Sequence, residues 1–447
     1  MGRRSKICWP WLLFGLSIPL QLISSLSLAE AFILFVGPFW MMQDWGRLQR
    51  DGLMPIIALS FLMIIGCAVG SIVNHTHGAA ILRGMATTCI VFFSIAVIHR
   101  LFVRHMGGFP WYFVGTAIAS VVCVFIFKRA SEAGVIAEAG VGKATAEEIM
   151  AGPIFLISRL GAFVNVPING WYLQTPLAYL ILAPFFMAIF SALTSTSGRS
   201  ASLLAMSAAT IIYFGGKSRR TMSRISKYFF VVIITGFVFA NLAYLLYVHA
   251  AENKWLSEEA IKKYERQTSG GGGIIRLLIS GRTSSFTGIP AILDKPIVGH
   301  GPWALDYNGY AEQFLSKYGS PEDCEEYAMN LAIMRMNGAG VNMIGCHSTI
   351  VELWVWYGIA GFLFCAYVLF VYLRYLTRDV AVVPQWFGYL AAQMPTMLWG
   401  YFFSPFASRI NFMMFLLTCL IVRAVKRGAI QLPLSMQEQI WKVENRR

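Results

Sequence analysis

Stretches of about 20 apolar residues recur along this chain, and no other feature limits its fold so much. In lipid every backbone N–H and C=O must be satisfied within its own segment, so such runs become helices that cross a bilayer. They fall at about 54–73, 79–99, 110–128, 173–194, 199–215, 227–249, 349–373, 381–403 and 408–425, with a shorter apolar pair at about 8–24 and 27–42. Composition agrees: 57% of the 447 residues are hydrophobic and 13% charged, and the mean hydropathy is +0.61. The expectation is an all-α polytopic membrane protein with about ten to twelve transmembrane helices. A formal charge of +14 does not imply a nucleic-acid partner, because the lysines and arginines sit mostly in short loops beside apolar spans, where they set orientation. Arg3, Arg4 and Lys6 precede apolar residues, but no small-residue cleavage site follows, so the first hydrophobic segment is expected to stay in place.

Orientation is anchored by Lys217, Arg219, Arg220, Arg224 and Lys227, a basic hairpin that the positive-inside rule assigns to the cytoplasm. The span at 227–249 then runs outward, which makes 250–347 a large periplasmic or extracellular loop. Arg374 and Arg378, then Arg423, Lys426 and Arg427, agree with that assignment. The resulting division is N-terminal transmembrane helices over 1–249, a periplasmic cap over 250–347, C-terminal transmembrane helices over 348–425 and a cytoplasmic tail over 426–447. One parity problem stays open. With an inside N-terminus, either 8–42 crosses only once or the stretch 154–164 adds a pass.

The external loop reads as a structured cap. Glu258 and Glu259 stand four residues from Lys262 and Lys263 in the helical-looking stretch Trp255–Arg266. The run Gly270 to Gly273 reads as a flexible connector or as a nest or hinge over a phosphate. Cys324 and Cys346 share this loop and can pair if it faces an oxidising compartment.

Several polar residues can carry chemistry. Arg199 ends the turn Thr194-Ser195-Thr196-Ser197-Gly198. It either snorkels to headgroups or binds a membrane-anchored phosphate bidentately. Arg282 follows Ser280-Gly281 and leads, through a surface-helix pattern, into Lys295-Pro296-Ile297-Val298-Gly299-His300-Gly301. His347 opens the span that carries Glu352, Gly358 and Gly361. It is a helix cap or, as a neutral imidazole, a base for a hydroxyl group. Glu352 either orients His347 or pairs with a basic neighbour, and Gly358 and Gly361 allow close helix approach. Arg83 is a snorkelling residue or a further anion contact. His75 and His77 lack the additional ligands that a metal site needs.

In this order, the motifs at Arg199, at Ser280-Gly281-Arg282 with Lys295 to Gly301, and at His347-Ser348 with Gly358 and Gly361 resemble the O-antigen ligase and O-antigen polymerase superfamily over about residues 170–375. The resemblance implies a membrane glycosyltransferase of GT-C type acting in lipopolysaccharide or cell-envelope biosynthesis. Its active site would face the periplasm from the bacterial inner membrane. The donor would be an undecaprenyl-pyrophosphate-linked glycan, and the acceptor lipid A-core or a second lipid-linked glycan. Arg199 and Arg282 would bind the donor pyrophosphate, and His347 would activate the acceptor hydroxyl. Two fixed guanidiniums can offset the charge developing on the leaving group, so no metal or other cofactor is expected. Ser348 stands where the family commonly has Asn, and His300 is a competing base. A transporter or flippase is the reading from a different class; it predicts repeats and broken helices.

Overall fold

The computed structural model describes residues 7–23, 26–127, 166–167, 169–171, 245, 248–249, 252–253, 255, 286–319, 324–325, 327–329, 331–332, 343–344, 346, 348–379, 384–404, 406, 409–432, 434 and 437. The spans expected at 173–194, 199–215 and 227–249, the Trp255–Arg266 stretch and the Gly270–Gly273 run lie outside these residues but for single positions.

The described chain is mostly helical. α1 (Trp9–Ser17) leads into a two-stranded antiparallel hairpin, β1 (Gln21–Ile23) with β2 (Leu26–Ser27), which with an isolated bridge between Leu305 and Met343 departs from an all-α chain. α2 (Leu28–Gln43) starts with a capping box: the Ser27 hydroxyl accepts from Glu30 N, and the Glu30 carboxylate accepts from Ser27 N at 2.9 Å. α3 (Trp45–Arg50) is short, and α4 (Met54–Val73), α5 (Gly78–His105) and α6 (Pro110–Phe127) follow. These last three coincide closely with the spans read from hydropathy. α4, and α5 continued to Gly108, are long and apolar enough to cross a membrane by length and composition; α2, α6 as far as Val122 and the later Ile359–Arg374 helix are shorter apolar helices.

α4 and α5 form a hairpin about the turn at Asn74 to His77, with Gly84 against the Cys67 sulfur and Phe61 against Phe92. α2 lies parallel to α5: Gly37 meets Phe93, and Arg100 reaches Trp40, Gln43 and Asp44 near the far end. α1 lies parallel to α6 with no room for side chains between them, since a Cβ on Gly15 would strike the Tyr112 carbonyl and one on Gly115 the Leu12 carbonyl. Trp11 fills the junction, its ring edge-on to Phe102 at 4.9 Å and Phe109 at 5.3 Å, while its indole N–H donates to the His105 carbonyl at 2.8 Å.

The molecule therefore has two ends, called here the Asn74 end and the Asp44 end. At the Asp44 end the π-turn Tyr375–Asp379 ties to the last helix, where Lys426 bonds Asp379 at 3.0 Å, and Arg427 lies beside Gly52. At that same end His99 is buried against Asp51, 2.7 Å away. After α6 the described chain reappears beside the start of that helix, with Gly170 against Pro110 and Trp171 edge-on to Trp111. Phe127, the end of α6, is about 26 Å away along the helix.

The short α7 (Ile289–Asp294) and α8 (Tyr310–Tyr318) cap the Asn74 end. The stretch 349–373, expected as one span, is two helices, α9 (Thr349–Tyr357) and α10 (Ile359–Arg374), divided at Gly358. Gly361 touches the Leu353 carbonyl. Eight residues would separate the two by about 12 Å along a continuous helix, so α10 doubles back on α9. α11 (Pro384–Phe403) and α12 (Arg409–Lys426) complete the bundle. Cys324 and Cys346 are separate free thiols, which corrects the pairing considered above. Cys346 is buried, its sulfur against Gly288, because the turn into α9 points it into the core.

Candidate functional site

The break at Gly358 is filled by another part of the chain. Residues Lys295 to Gly301 run into it backbone first: His300 N donates to the Val355 carbonyl at 2.7 Å, Gly301 N to the Trp356 carbonyl at 3.2 Å, and Ile359 N to the Ile297 carbonyl at 3.0 Å. These bonds satisfy the open end of α9 and the start of α10, where each orphaned buried group would cost about 1–3 kcal/mol. Close approach needs glycine on every side. Gly358 (φ +58°) abuts the Ile297 carbonyl, Gly299 (φ +74°) abuts the carbonyls of Val355 and Trp356, and Gly70 of α4 abuts Val298.

Asn74 ties this seat to α4. Its amide donates to the carbonyls of Gly70 (2.7 Å) and Gly299 (3.0 Å), and its oxygen accepts from Lys295 Nζ at 2.5 Å. The Trp354 indole closes the other flank on the Pro296 carbonyl at 3.0 Å. Trp303, held in the left-handed region at φ +51°, packs against Trp356 with ring centres 4.5 Å apart and the planes tilted by 31°, and its ring centre lies 4.7 Å from the Arg83 guanidinium carbon.

His300 is built into this seat. Its Nε2 donates to the Ala291 carbonyl at 2.9 Å and lies 3.9 Å from Asp294, whose carboxylate accepts from the Tyr310 hydroxyl at 2.6 Å. Burial pushes the imidazole below its ordinary value of 6.5; the bond to Ala291 opposes this, and Lys295 adds to it. The unfolded chain thus takes up the proton first as pH falls, so this group destabilises the fold as pH drops below about 6.5. Thermal midpoints measured between about pH 7 and pH 5 should fall, and His300→Gln should flatten that slope. An unchanged slope in the variant would contradict the assignment.

The first turn of α9 rests on the end of α11 and the link to α12. Thr349 Oγ1 donates to the carbonyls of Ser404 (3.0 Å) and Gly400 (3.3 Å), and Ser348 Oγ to that of Tyr401 at 3.5 Å. Glu352, buried, accepts from Phe406 N at 2.6 Å. Arg409, at the head of α12, faces Glu352 electrostatically, pairs with Glu30 at 3.3 Å and donates to Thr87 Oγ1 at 2.7 Å.

Of the residues singled out in the sequence, Glu352, His300 and Arg83 are described, whereas Arg199, Arg282 and His347 lie outside the described residues. The structure brings together the Lys295–Gly301 segment and the segment from Ser348 to Gly361 at the Asn74 end. Glu352 accepts from Phe406 N and faces Arg409 electrostatically; His347, the other partner considered for it, lies outside the described residues. Among the described residues His75 and His77 join no group of three metal-ligand side chains. Asn74, Arg409 and Glu30 escaped the sequence reading. Arg409 and Glu30 were nonetheless marked, each as a lone charge in an apolar run, Glu30 within the Ser-x-x-Glu cap pattern. No family model, curated protein or solved structure matches this chain.

Proposed function

We propose that this chain is a polytopic glycosyltransferase of the bacterial inner membrane. It would transfer a glycan from undecaprenyl pyrophosphate to a hydroxyl group of lipid A-core on the periplasmic side, as an O-antigen ligase does. The observation that carries the reading is the seating of Lys295–Gly301 in the α9–α10 break, because it joins two of the three motif segments at one end of the bundle. Charge supports the orientation: Arg47, Arg50, Arg100, Arg374, Arg378, Arg423, Lys426 and Arg427 gather at the Asp44 end, as expected of a cytoplasmic face. The return of the chain to the start of α6 by Gly170 supports an added pass before residue 166. With the span read at 173–194, such a pass would bring Arg199 to the same side as His347 and the cap.

In this mechanism His347 removes the proton of the acceptor hydroxyl, and the oxygen attacks the anomeric carbon. The bond from that carbon to the pyrophosphate oxygen breaks. Arg199 and Arg282 hold the charge left on undecaprenyl pyrophosphate, so no metal ion is needed. The alternative within the same chemistry is an O-antigen or exopolysaccharide polymerase, whose acceptor is a second lipid-linked glycan. A transporter draws support from one observation, the helix break at Gly358. Purified protein with the lipid-linked donor and EDTA separates these readings. Product with lipid A-core alone is the expected result, and ladders from donor alone would make it a polymerase. Loss of activity with EDTA would overturn the metal-free mechanism.

A further inference from the structure

The Arg409 guanidinium links three helices: it pairs with Glu30 of α2, bonds Thr87 of α5 and faces Glu352 of α9. Three residues before it, Phe406 N grips Glu352, and Ser404, Gly400 and Tyr401 grip Ser348 and Thr349. The end of α11 and its link to α12 thus form a cradle for the first turn of α9. The Glu30–Arg409 pair is the charged tie from that cradle to α2, and Thr87 extends it to α5. Glu30 itself is fixed by the α2 capping box, so its Oε1 is presented in one place.

We propose that Arg409 is a positioning residue: through the cradle it sets the first turn of α9, from Ser348 to Glu352. This rests on the transferase reading for its functional consequence, but its structural content can be measured separately. Removing one partner of a buried ion pair leaves the other uncompensated, so the tie should fail locally in Arg409→Gln and in Glu30→Gln. Arg409→Lys keeps the charge.

Cys346 reports on this place, since it immediately precedes position 347 and is buried. Cys365 of α10 and Cys419 of α12 are buried elsewhere and serve as internal controls. Full-length protein in detergent is treated with a maleimide, and each cysteine peptide is quantified by mass spectrometry. Arg409→Gln and Glu30→Gln should speed alkylation of Cys346 by about tenfold or more, with Cys365 and Cys419 still protected and Arg409→Lys close to wild type. Alkylation of Cys346 at the wild-type rate in both glutamine variants would overturn the proposal. So would joint exposure of all three cysteines, which would make the tie a general stability element. Where the wild type transfers glycan, Arg409→Gln should lower kcat and leave the donor KM unchanged, and a rise in KM alone would count against positioning. If the wild type transfers nothing, the functional reading falls and alkylation alone decides the tie.

Discussion

Replacing His347 by alanine is expected to lower kcat for glycan transfer by about 10²–10⁴-fold, the range for loss of a positioned general base. The donor KM and thermal stability should change little. The acceptor hydroxyl is a poor nucleophile until its proton is taken, and an imidazole is the side chain whose ordinary pKa suits that task near neutral pH. Ser348, the residue after His347, opens a turn clamped through Thr349 by Ser404 and through Glu352 by Phe406. His300→Gln, made beside it, should retain most activity, because the His300 Nε2–H is already donated to Ala291. Full activity in His347→Ala with loss in His300→Gln would exchange the two roles.

The second large effect is structural. Gly358 combines φ +58° and ψ −142° with a carbonyl, that of Ile297, where a Cβ would stand. Gly358→Ala must both enter a backbone region that L-residues avoid and push the Lys295–Gly301 segment out of its seat. The expected loss is about 3 kcal/mol or more. Gly428 is the control: its φ is +74° but nothing lies within 4 Å, so Gly428→Ala should cost only about 1–2 kcal/mol. Thermal midpoints in detergent compare the two. Equal shifts would show that the seat at the α9–α10 break contributes little.

What could be read from the sequence follows from where the information is local. α4, α5, α6, α11 and α12 fall within a few residues of the runs found by hydropathy, because each apolar segment carries its own helical instruction. Gly358 was visible as a glycine in an apolar run, and close packing was the natural reading. Its role as a helix break depends on the backbone of Ile297 to Gly301, which lies far away in sequence. Asn74 was equally opaque, since its three partners come from Gly70, Lys295 and Gly299. The Glu30–Arg409 pair joins residues near opposite ends of the chain, and no periodicity links them. His300 was seen as a possible base; the structure adds that its Nε2–H is donated to Ala291, which hydropathy could not supply.

Transfer is distinguished from movement most directly in proteoliposomes carrying the purified protein, a labelled undecaprenyl-pyrophosphate glycan and lipid A-core. The quantity to follow is the release of undecaprenyl pyrophosphate. A transferase must release one such molecule for each glycan joined to acceptor, and the release should vanish in His347→Ala while the donor stays intact. Translocation of intact donor across the bilayer, with no undecaprenyl pyrophosphate released, would contradict the account and make the chain a transporter.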